Sequence, residues 1–269
     1  NTLAQTHLQL MNDLWQAIDR DELRLLYQPK FHAPAGPVIG FEALLRWQHP
    51  KQGLLPPDLF LPLAEKTGLI IPIGNWVIDE ACRQLREWHL QGHTDWSMAV
   101  NLSTLQFEQP SLIKTVLDCL TRHSVPPGML ILEVTETTAM SNPDESVRVL
   151  TALTDAGVKA SIDDFGTGYS SLLYLKRLPA CELKIDRAFV KELSGESEDA
   201  TIVSAIIALA KTLNLKVVAE GVETAAQQTF LTELGCNTLQ GYLLGKPITA
   251  QAIMEQCQHG EMSPSRMQS

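Results

Sequence analysis

Short apolar segments alternate with amphipathic segments along most of the chain. Six apolar runs, rich in Val, Ile and Leu, have the length of buried strands, and the stretches between them show helical periodicity. The runs cover 97–103, 130–136, 158–164, 182–186, 216–221 and 237–242, and the helical stretches include 76–91, 111–122, 144–156, 198–213 and 224–234. Strands that alternate with helices in this order predict a mainly parallel sheet with helical cover.

Two further apolar segments precede this region. Residues 22–31 ("ELRLLYQPKF") and 38–47 ("VIGFEALLRW") are separated only by "HAPAGP", which is too short for a crossover helix. They should form an antiparallel hairpin. The hairpin brings the number of strands to eight, which is the number that closes a barrel with a filled interior. We predict an α/β fold, a TIM-like (β/α)8 barrel modified by an antiparallel hairpin formed by its first two strands.

An amphipathic helix is predicted before the barrel, because apolar residues recur at helical spacing over residues 3–18. This helix either caps the barrel floor or leads in from an upstream domain. The chain starts with Asn1 rather than Met and shows no signal peptide, so we expect an upstream sensory or signalling domain. The predicted boundaries are 1–22 for the leading helix, 23–257 for the barrel and 258–269 for a polar tail.

Composition and charge narrow the classes of partner. The chain is 45% hydrophobic and 19% charged, as is usual for a globular enzyme, and its formal net charge is −10. This charge argues against binding to polymeric nucleic acid or to an anionic membrane, although bound cations could still attract a small anion. Five scattered cysteines favour a reducing compartment, and the longest apolar run, 202–210, is too short to cross a bilayer. We therefore expect a cytoplasmic domain without membrane insertion.

Every predicted strand carries a polar residue near its end. In a parallel barrel the carboxyl ends of the strands meet at one rim, where the chemistry takes place. A single polar residue at a strand end is usually a cap, but one on each strand predicts a site. These residues are Gln28, Glu42 with Arg46, Asn101, Glu133, Asp163 with Asp164, Lys184, Glu220 and Gln240.

Negative charge dominates this predicted site, and bound cations would balance it. Five carboxylates face only Lys184 and Arg46, and such crowding is costly without counter-charge. The candidate ligands are all oxygen atoms, which favours Mg²⁺ or Mn²⁺ over zinc. Two hard ions beside a lysine suggest phosphoryl transfer to water. His89 and His93 are less suited to a metal site, because Gly92 lies between them at a predicted helix end.

At these residues the sequence resembles the EAL-domain family of cyclic di-GMP phosphodiesterases. The signature Glu-Ala-Leu stands at residues 42–44, within "FEALLRW". The similarity runs from about Leu23 to Pro247, and eight ordered blocks beside the signature make it far more specific than the three letters alone. Further matching blocks are "YQPK" (27–30), "AEKTGLI" (64–70), "NLS" (101–103), "EVTE" (133–136), "DDFGTGYSSL" (163–172), "KID" (184–186), "AEGVE" (219–223) and "QGY" (240–242).

The resemblance implies roles for the matching residues. A first metal ion would be held by Glu42, Asn101, Glu133, Asp163 and Glu220, with Asp163 bridging to a second ion on Asp164. The implied catalytic residues are Lys184, which would orient the attacking water, together with Glu42, Glu220 and Gln240. Arg46 would grip a substrate phosphate, and Gln28 would contact the substrate. The ions would be Mg²⁺ or Mn²⁺, two per site, whereas Ca²⁺ should bind and inhibit.

A glycine-containing loop, residues 165–172, resembles the regulatory loop that lies beside the family's dimer interface. Glu136 would brace this loop with its Gly166 and Gly168, and Glu223 would support the shell around Glu220. The resemblance therefore implies a homodimer. Simpler interpretations remain open for individual residues. They are a loop-starting aspartate for Asp163, an N-cap for Asp164, an edge-strand lysine for Lys184, surface packing for Arg46, and a solvated or capping glutamate for Glu136 and Glu223.

The implied activity is hydrolysis of cyclic di-GMP to linear 5′-pGpG by a water that two metals activate. The main alternative is a catalytically silent receptor that binds cyclic di-GMP and signals through a dimer or partner. A scaffold that transmits dimer contacts, and a barrel metalloenzyme acting on another phosphoester, are weaker hypotheses. The complete set of candidate ligands favours the enzyme, because a receptor has no need of Lys184 or Asp164.

Overall fold

Nine strands form one sheet in the computed structural model, which describes residues 2–168, 172–193, 197–260 and 262, with side chains from residue 8 onward. Eight of the strands match the eight predicted apolar segments. The exception is β3, a three-residue strand that pairs with the end of β2. The strands are β1 (Leu23–His32), β2 (Val38–His49), β3 (Gly53–Leu55), β4 (Ser97–Leu102), β5 (Leu130–Thr135), β6 (Lys159–Phe165), β7 (Glu182–Ile185), β8 (Lys216–Ala219) and β9 (Thr238–Leu239).

The sheet closes into a barrel through its first strand. Strands β2 and β4 to β9 run parallel, and β1 pairs antiparallel with β2 on one side and with β9 on the other. The predicted barrel and its antiparallel opening hairpin are thus confirmed. Because β1 runs against its neighbours, later residues of β1 lie deeper below the rim, and Lys30 pairs with Gly40 beneath the Gln28–Glu42 pair.

Helices cover the outside of the barrel between successive strands. The five predicted barrel helices correspond to α3, α5, α7, α10 and α11 in the following set. The described helices are α1 (Thr2–Ala17), α2 (Leu61–Thr67), α3 (Ile70–Leu90), α4 (Thr104–Phe107), α5 (Leu112–His123), α6 (Glu136–Ser141), α7 (Pro143–Asp155), α8 (Leu172–Leu175), α9 (Arg187–Lys191), α10 (Glu198–Thr212), α11 (Ala225–Glu233) and α12 (Ala250–Gln258).

Helix α3 shows how the apolar pattern produces the packing. Its buried residues recur every three or four positions, as in Val77, Ala81, Leu85 and Trp88, so one stripe faces the sheet. The Trp88 ring lies 4.7 Å from the ring of Phe41 in β2, between ring centroids. Aromatic contacts of this kind stabilise the packing of helix on strand by more than the burial of their apolar area alone would. This packing holds the β2 backbone in place beneath the rim.

The position of the opening helix α1 differs from one of its two predicted positions, the cap on the barrel floor. On α1, Leu14 and Ala17 are buried, and Asp13 Oδ2 lies 3.3 Å from His49 Nε2 at the carboxyl end of β2. The helix therefore contacts the extension of β2 and does not cap the barrel floor. Whether it leads in from an upstream domain stays a prediction, as do the boundaries 1–22, 23–257 and 258–269.

Candidate active site

The predicted site residues converge at the carboxyl ends of the parallel strands. Most of them belong to the last residues of a strand or directly follow it, as Glu220 follows β8 and Gln240 follows β9. Glu42 differs, because it lies in the middle of a 12-residue strand. The pairing of β2 with β4 stops at Ala43, so the barrel part of β2 ends beside Glu42 and the remainder continues outward. The residue is at the rim although the strand is longer than expected.

Lys184 is the centre of the charge network. Its side chain is fully buried, which excludes the edge-strand interpretation. Its Nζ lies 2.5 Å from Glu133 Oε2, 2.7 Å from Glu220 Oε1, 3.1 Å from Asp163 Oδ2 and 3.7 Å from Glu42 Oε2. Burial alone would lower the pKa of this ammonium, but the surrounding carboxylates raise it well above its usual value. One cation thus holds together four acidic side chains from four strands.

Glu133 is held by a second lysine that the sequence reading missed. Lys30 of β1 donates from Nζ to Glu133 Oε1 at 2.8 Å, while Lys184 binds the other carboxylate oxygen. Burial would raise the pKa of Glu133, but the two ammonium groups lower it to about 2. A signal was present in the sequence, because Lys30 stands two residues from Gln28 and therefore faces the same side of the strand.

Asp163, Asp164 and Glu220 form a compact carboxylate group. One oxygen from each lies within 4.8 Å of the others. Burial, opposed by Lys184 and reinforced by Asp163 and Glu42, raises the pKa of Glu220 to about 8. Burial and the neighbouring Asp163 and Asp186 raise the pKa of Asp164 to about 6. Burial and the neighbouring carboxylates thus outweigh the effect of the Lys184 ammonium on both groups.

Asp164 has an unusual backbone that turns the chain out of β6. Its φ is +52°, in the left-handed region that non-glycine residues seldom adopt, and its amide donates to Asp163 Oδ1 at 2.8 Å. Such strain is commonly retained at functional positions. The turn lets two consecutive carboxylates serve the same site, which alternating residues of a regular strand do not do.

Amide side chains fix the orientation of Glu42. Asn101 donates from Nδ2 to Glu42 Oε1 at 2.7 Å, and Gln240 donates from Nε2 to Glu42 Oε2 at 2.7 Å. Gln240 also donates to Gln28 Oε1 at 3.1 Å, and Gln28 in turn donates to the Gly245 carbonyl. Burial raises the pKa of Glu42, against the effect of Lys184. Gln28 and Gln240 therefore join the site by holding a carboxylate.

A cleft of about 620 Å³ opens above this network. Arg46 is half-buried and lines the cleft, so it is placed for more than surface packing. Several residues of the wall were not assigned to the site from the sequence, because they stand just beyond a strand or in a short helical turn rather than at the strand ends on which the prediction relied. The additional lining residues include Asp58, Asp186, Arg187 and Tyr242.

Glu136 joins the strand ends to the glycine-containing loop. Its Oε2 accepts from the Gly166 amide at 2.9 Å and from the Gly168 amide at 3.2 Å. A Cβ atom on Gly168 would lie only 3.2 Å from the Glu136 carboxyl carbon, which explains the small residue there. Residues 169–171 of the predicted loop 165–172 lie outside the described part of the chain.

Glu223 lines the same cleft as Glu220, and its predicted support of the residues around Glu220 stays a prediction. It is exposed at the edge of the cleft, and its side chain makes no hydrogen bond among the described residues. Its backbone amide donates instead to Gln227, which caps helix α11. The histidines set aside in the sequence are structural, since His89 Nε2 bonds to the Trp96 carbonyl at 2.9 Å and His93 stacks on the Trp96 ring.

The donor set fits a hard divalent cation. The group of Asp163, Asp164 and Glu220 offers oxygen ligands alone, and burial, together with the neighbouring carboxylates, raises the pKa of two of its members. A divalent cation would offset the negative charge of these three carboxylates, and Mg²⁺ or Mn²⁺ prefers such ligands.

Within the part of the chain that the structure describes, no helix combines the length and the apolar character that crossing a bilayer requires.

Fold and site together define a TIM-like barrel with an acidic, lysine-centred site of the kind that binds metal ions. Residues 11–247 match the family model of the EAL domain, so the chain belongs to the EAL domain family. It is 64% identical to a solved structure described as the PaMucR phosphodiesterase in complex with c-di-GMP. The two structures superpose with a TM-score of 0.89, and the match covers 91% of this chain and 99% of the chain in that structure.

Curated relatives show the same similarity. The bifunctional diguanylate cyclase/cyclic di-GMP phosphodiesterase MucR of Pseudomonas aeruginosa is 63% identical over 94% of this chain and 37% of its own length. The cyclic di-GMP phosphodiesterase NbdA of the same organism is 46% identical over 94% of this chain and 32% of its own length. The chain thus spans about a third of the length of these relatives.

Proposed function

We propose that this chain is a metal-dependent phosphodiesterase that hydrolyses cyclic di-GMP to linear 5′-pGpG. The observation that carries the proposal is the group of Asp163, Asp164 and Glu220, whose oxygens lie within 4.8 Å of one another beside the buried Lys184. Membership of the EAL family and the similarity to a phosphodiesterase solved with c-di-GMP support the same substrate. The cleft above the group has a volume in the usual range of small-molecule sites.

Two ions, Mg²⁺ or Mn²⁺, would occupy the acidic rim. Asp163 would serve as a ligand to both ions, and Asp164 would be the main protein ligand of the second ion. Asn101 uses its amide nitrogen for Glu42, so its Oδ1 is the atom that remains for a metal. We assign the first ion to Glu42, Asn101, Glu133, Asp163 and Glu220.

The ions would lower the pKa of a water and neutralise charge that develops on the phosphoryl oxygens. Lys184 already contacts four carboxylates of the site and would hold the attacking water in line with the scissile bond. Arg46 would grip a substrate phosphate through its planar fork. Gln240 and Gln28 would contribute by orienting Glu42. Attack expels the ribose 3′ oxygen and leaves the 5′ phosphate on pGpG.

A homodimer is the proposed assembly. Leu172 and Leu173, at the start of α8 and next to the loop that Glu136 braces, are 60% and 69% exposed. Exposed leucines in adjacent positions are unfavourable in water and suit an interface. We further propose that the domain works in the cytoplasm under an upstream signalling domain.

The proposed function is tested by incubating the chain with cyclic di-GMP in the presence of Mn²⁺ or of EDTA. Chromatography then measures how much pGpG has formed. We expect conversion in Mn²⁺ and none in EDTA. Glu220→Gln should abolish conversion, whereas Glu255→Gln, which alters an exposed glutamate on α12, should not. Tight binding of cyclic di-GMP without product at any Mn²⁺ concentration would refute the enzyme and leave the receptor. Product from a simple diester alone would indicate a different phosphoesterase.

A further inference from the structure

A second buried lysine lies below the rim. Lys30 and Gln28 face the barrel interior from the same strand, and Lys30 is two residues deeper. Its side chain is 3% exposed, and the Glu133 side chain that it contacts is fully buried. A buried lysine is costly unless it is paired, and the contact with Glu133 at 2.8 Å provides that pairing. We therefore ask what the Lys30–Glu133 pair contributes to the site.

Lys30 donates a hydrogen bond to Glu133 and forms a longer ion pair with its other acidic neighbour, Glu182. Glu182 Oε1 lies 3.8 Å from Lys30 Nζ, which is too far for a hydrogen bond. That oxygen and the Ser161 hydroxyl have no hydrogen-bond partner among the described residues. Ser161 and Glu182 pair in register across β6 and β7, so a polar layer lies beneath the acidic rim, and Lys30 reaches upward from it.

The two lysines divide the oxygens of Glu133 between them. Lys30 binds Oε1, and Lys184 binds Oε2. An ammonium has three protons, and Lys184 already faces three further carboxylates. Lys184 therefore cannot serve Glu133 alone, and Lys30 supplies a second hydrogen bond to Glu133. We infer that this second hydrogen bond fixes the plane of the Glu133 carboxylate.

We propose that Lys30 is a positioning residue, which acts through Glu133 to hold the metal-binding face of the site in its working orientation. This inference rests on the proposed function, in which Glu133 is a metal ligand. Partners that orient a metal ligand typically change metal affinity or activity by about 10- to 100-fold when they are lost.

The direction of the effect separates positioning from simple electrostatics. A cation close to a cation site repels the metal, so removing Lys30 would tighten Mn²⁺ binding if its charge were all that mattered. If Lys30 positions Glu133, its removal frees the carboxylate to turn out of the orientation in which it would bind the metal, and Mn²⁺ binding weakens. The two mechanisms predict opposite signs.

Lys30→Met, which keeps most of the side-chain length without the charge, provides the test. Lys216→Met is the matched control, because it removes the same charge from an exposed residue at the start of β8. Calorimetric titration of the metal-free chain should show Mn²⁺ binding about 10- to 100-fold weaker in Lys30→Met. In cyclic di-GMP hydrolysis kcat should fall while KM is unchanged. Lys216→Met should match the native chain in both.

A double-variant cycle tests the path through Glu133. Lys30→Met should add little to Glu133→Gln, because the two residues act as one unit. Additive effects, Mn²⁺ binding within twofold of native, or tighter binding would each overturn the proposal. If Lys30→Met does not fold, Lys30→Gln replaces it with the same criteria, and failure of both to fold would make Lys30 purely structural. A native chain that binds Mn²⁺ without hydrolysis refutes the proposed function, yet the titration still tests Lys30.

Discussion

Replacing Lys184 by methionine removes the ammonium around which four acidic side chains gather. The side chain is fully buried, and its carboxylate contacts lie between 2.5 and 3.7 Å. Removing one partner of a buried ion pair typically costs about 3–5 kcal/mol, because the other charge stays buried without compensation. With an unfolding entropy of about 2.1 cal/mol/K per residue, this cost corresponds to a fall in Tm of about 5–9 °C for the metal-free chain.

Divalent ions should restore stability to this variant without restoring turnover. Bound Mn²⁺ supplies positive charge to the same carboxylates, and a ligand present at about 100 times its Kd stabilises the fold by about 2.7 kcal/mol. The attacking water would still lack its lysine, so kcat should remain about 10²-fold or more below native. Calorimetric melting in EDTA and in Mn²⁺, with the hydrolysis assay on the same samples, measures both effects.

The control for this experiment is again Lys216→Met, which removes an exposed charge. We expect its Tm and kcat to equal those of the native chain. If Lys184→Met melted like this control in EDTA, the lysine would not be holding the carboxylates together. If it hydrolysed cyclic di-GMP at the native rate in Mn²⁺, Lys184 would have no part in orienting the water.

Three further outcomes are expected. Glu42→Ala or Glu220→Ala should abolish hydrolysis through loss of metal, seen as lost Mn²⁺ binding in calorimetry, and native binding in both would contradict the ligand assignment. Ca²⁺ should compete with Mn²⁺ in the same titration but support little hydrolysis, because it accepts looser geometry, and rapid turnover in Ca²⁺ would count against this mechanism. Leu173→Glu should convert a dimer to a monomer in sedimentation, whereas Leu90→Glu, at an equally exposed leucine on α3, should not. A dimer that survives Leu173→Glu would place the interface elsewhere.

The barrel was predictable from sequence because its strands are nearly continuous apolar runs. Strands buried on both faces leave such a signal, and the six-residue link between the first two strands permits only an antiparallel pair. The start of α3 was predicted six residues too late, since Pro72 interrupts the helical pattern. A proline is tolerated in the first turn of a helix, where its missing amide costs nothing.

Short elements escaped prediction because local contacts decide them. Helix α6 begins where the Thr135 hydroxyl accepts from the Thr138 amide, and α9 begins where Asp186 accepts from the Ala188 amide. Each has at most six residues, too few to display a helical period. Strand β3 has only three residues and pairs with the last three residues of β2, whereas β2 up to Trp47 is held by its pairing with β1.

The rim residues were predictable, whereas the contacts among them were not. Strand-end position and residue type brought Glu42, Asp163 and Lys184 into one site, and the structure places them together. Lys30 lies in an antiparallel strand, whose order of depth is reversed relative to the others, so its approach to Glu133 follows only from the pairing register. Glu223 is exposed where the chain turns into α11, at the edge of the cleft.

Anomalous X-ray diffraction from Mn²⁺-loaded crystals tests the central claim most directly, since it locates the metal itself. We expect two manganese peaks about 3.5–4 Å apart, the usual separation in two-metal phosphoesterases. Asp163 should lie between them, and Glu220 and Asp164 should each bind one ion. Crystals without manganese at this rim, grown from protein that still hydrolyses cyclic di-GMP in the presence of EDTA, would contradict the account.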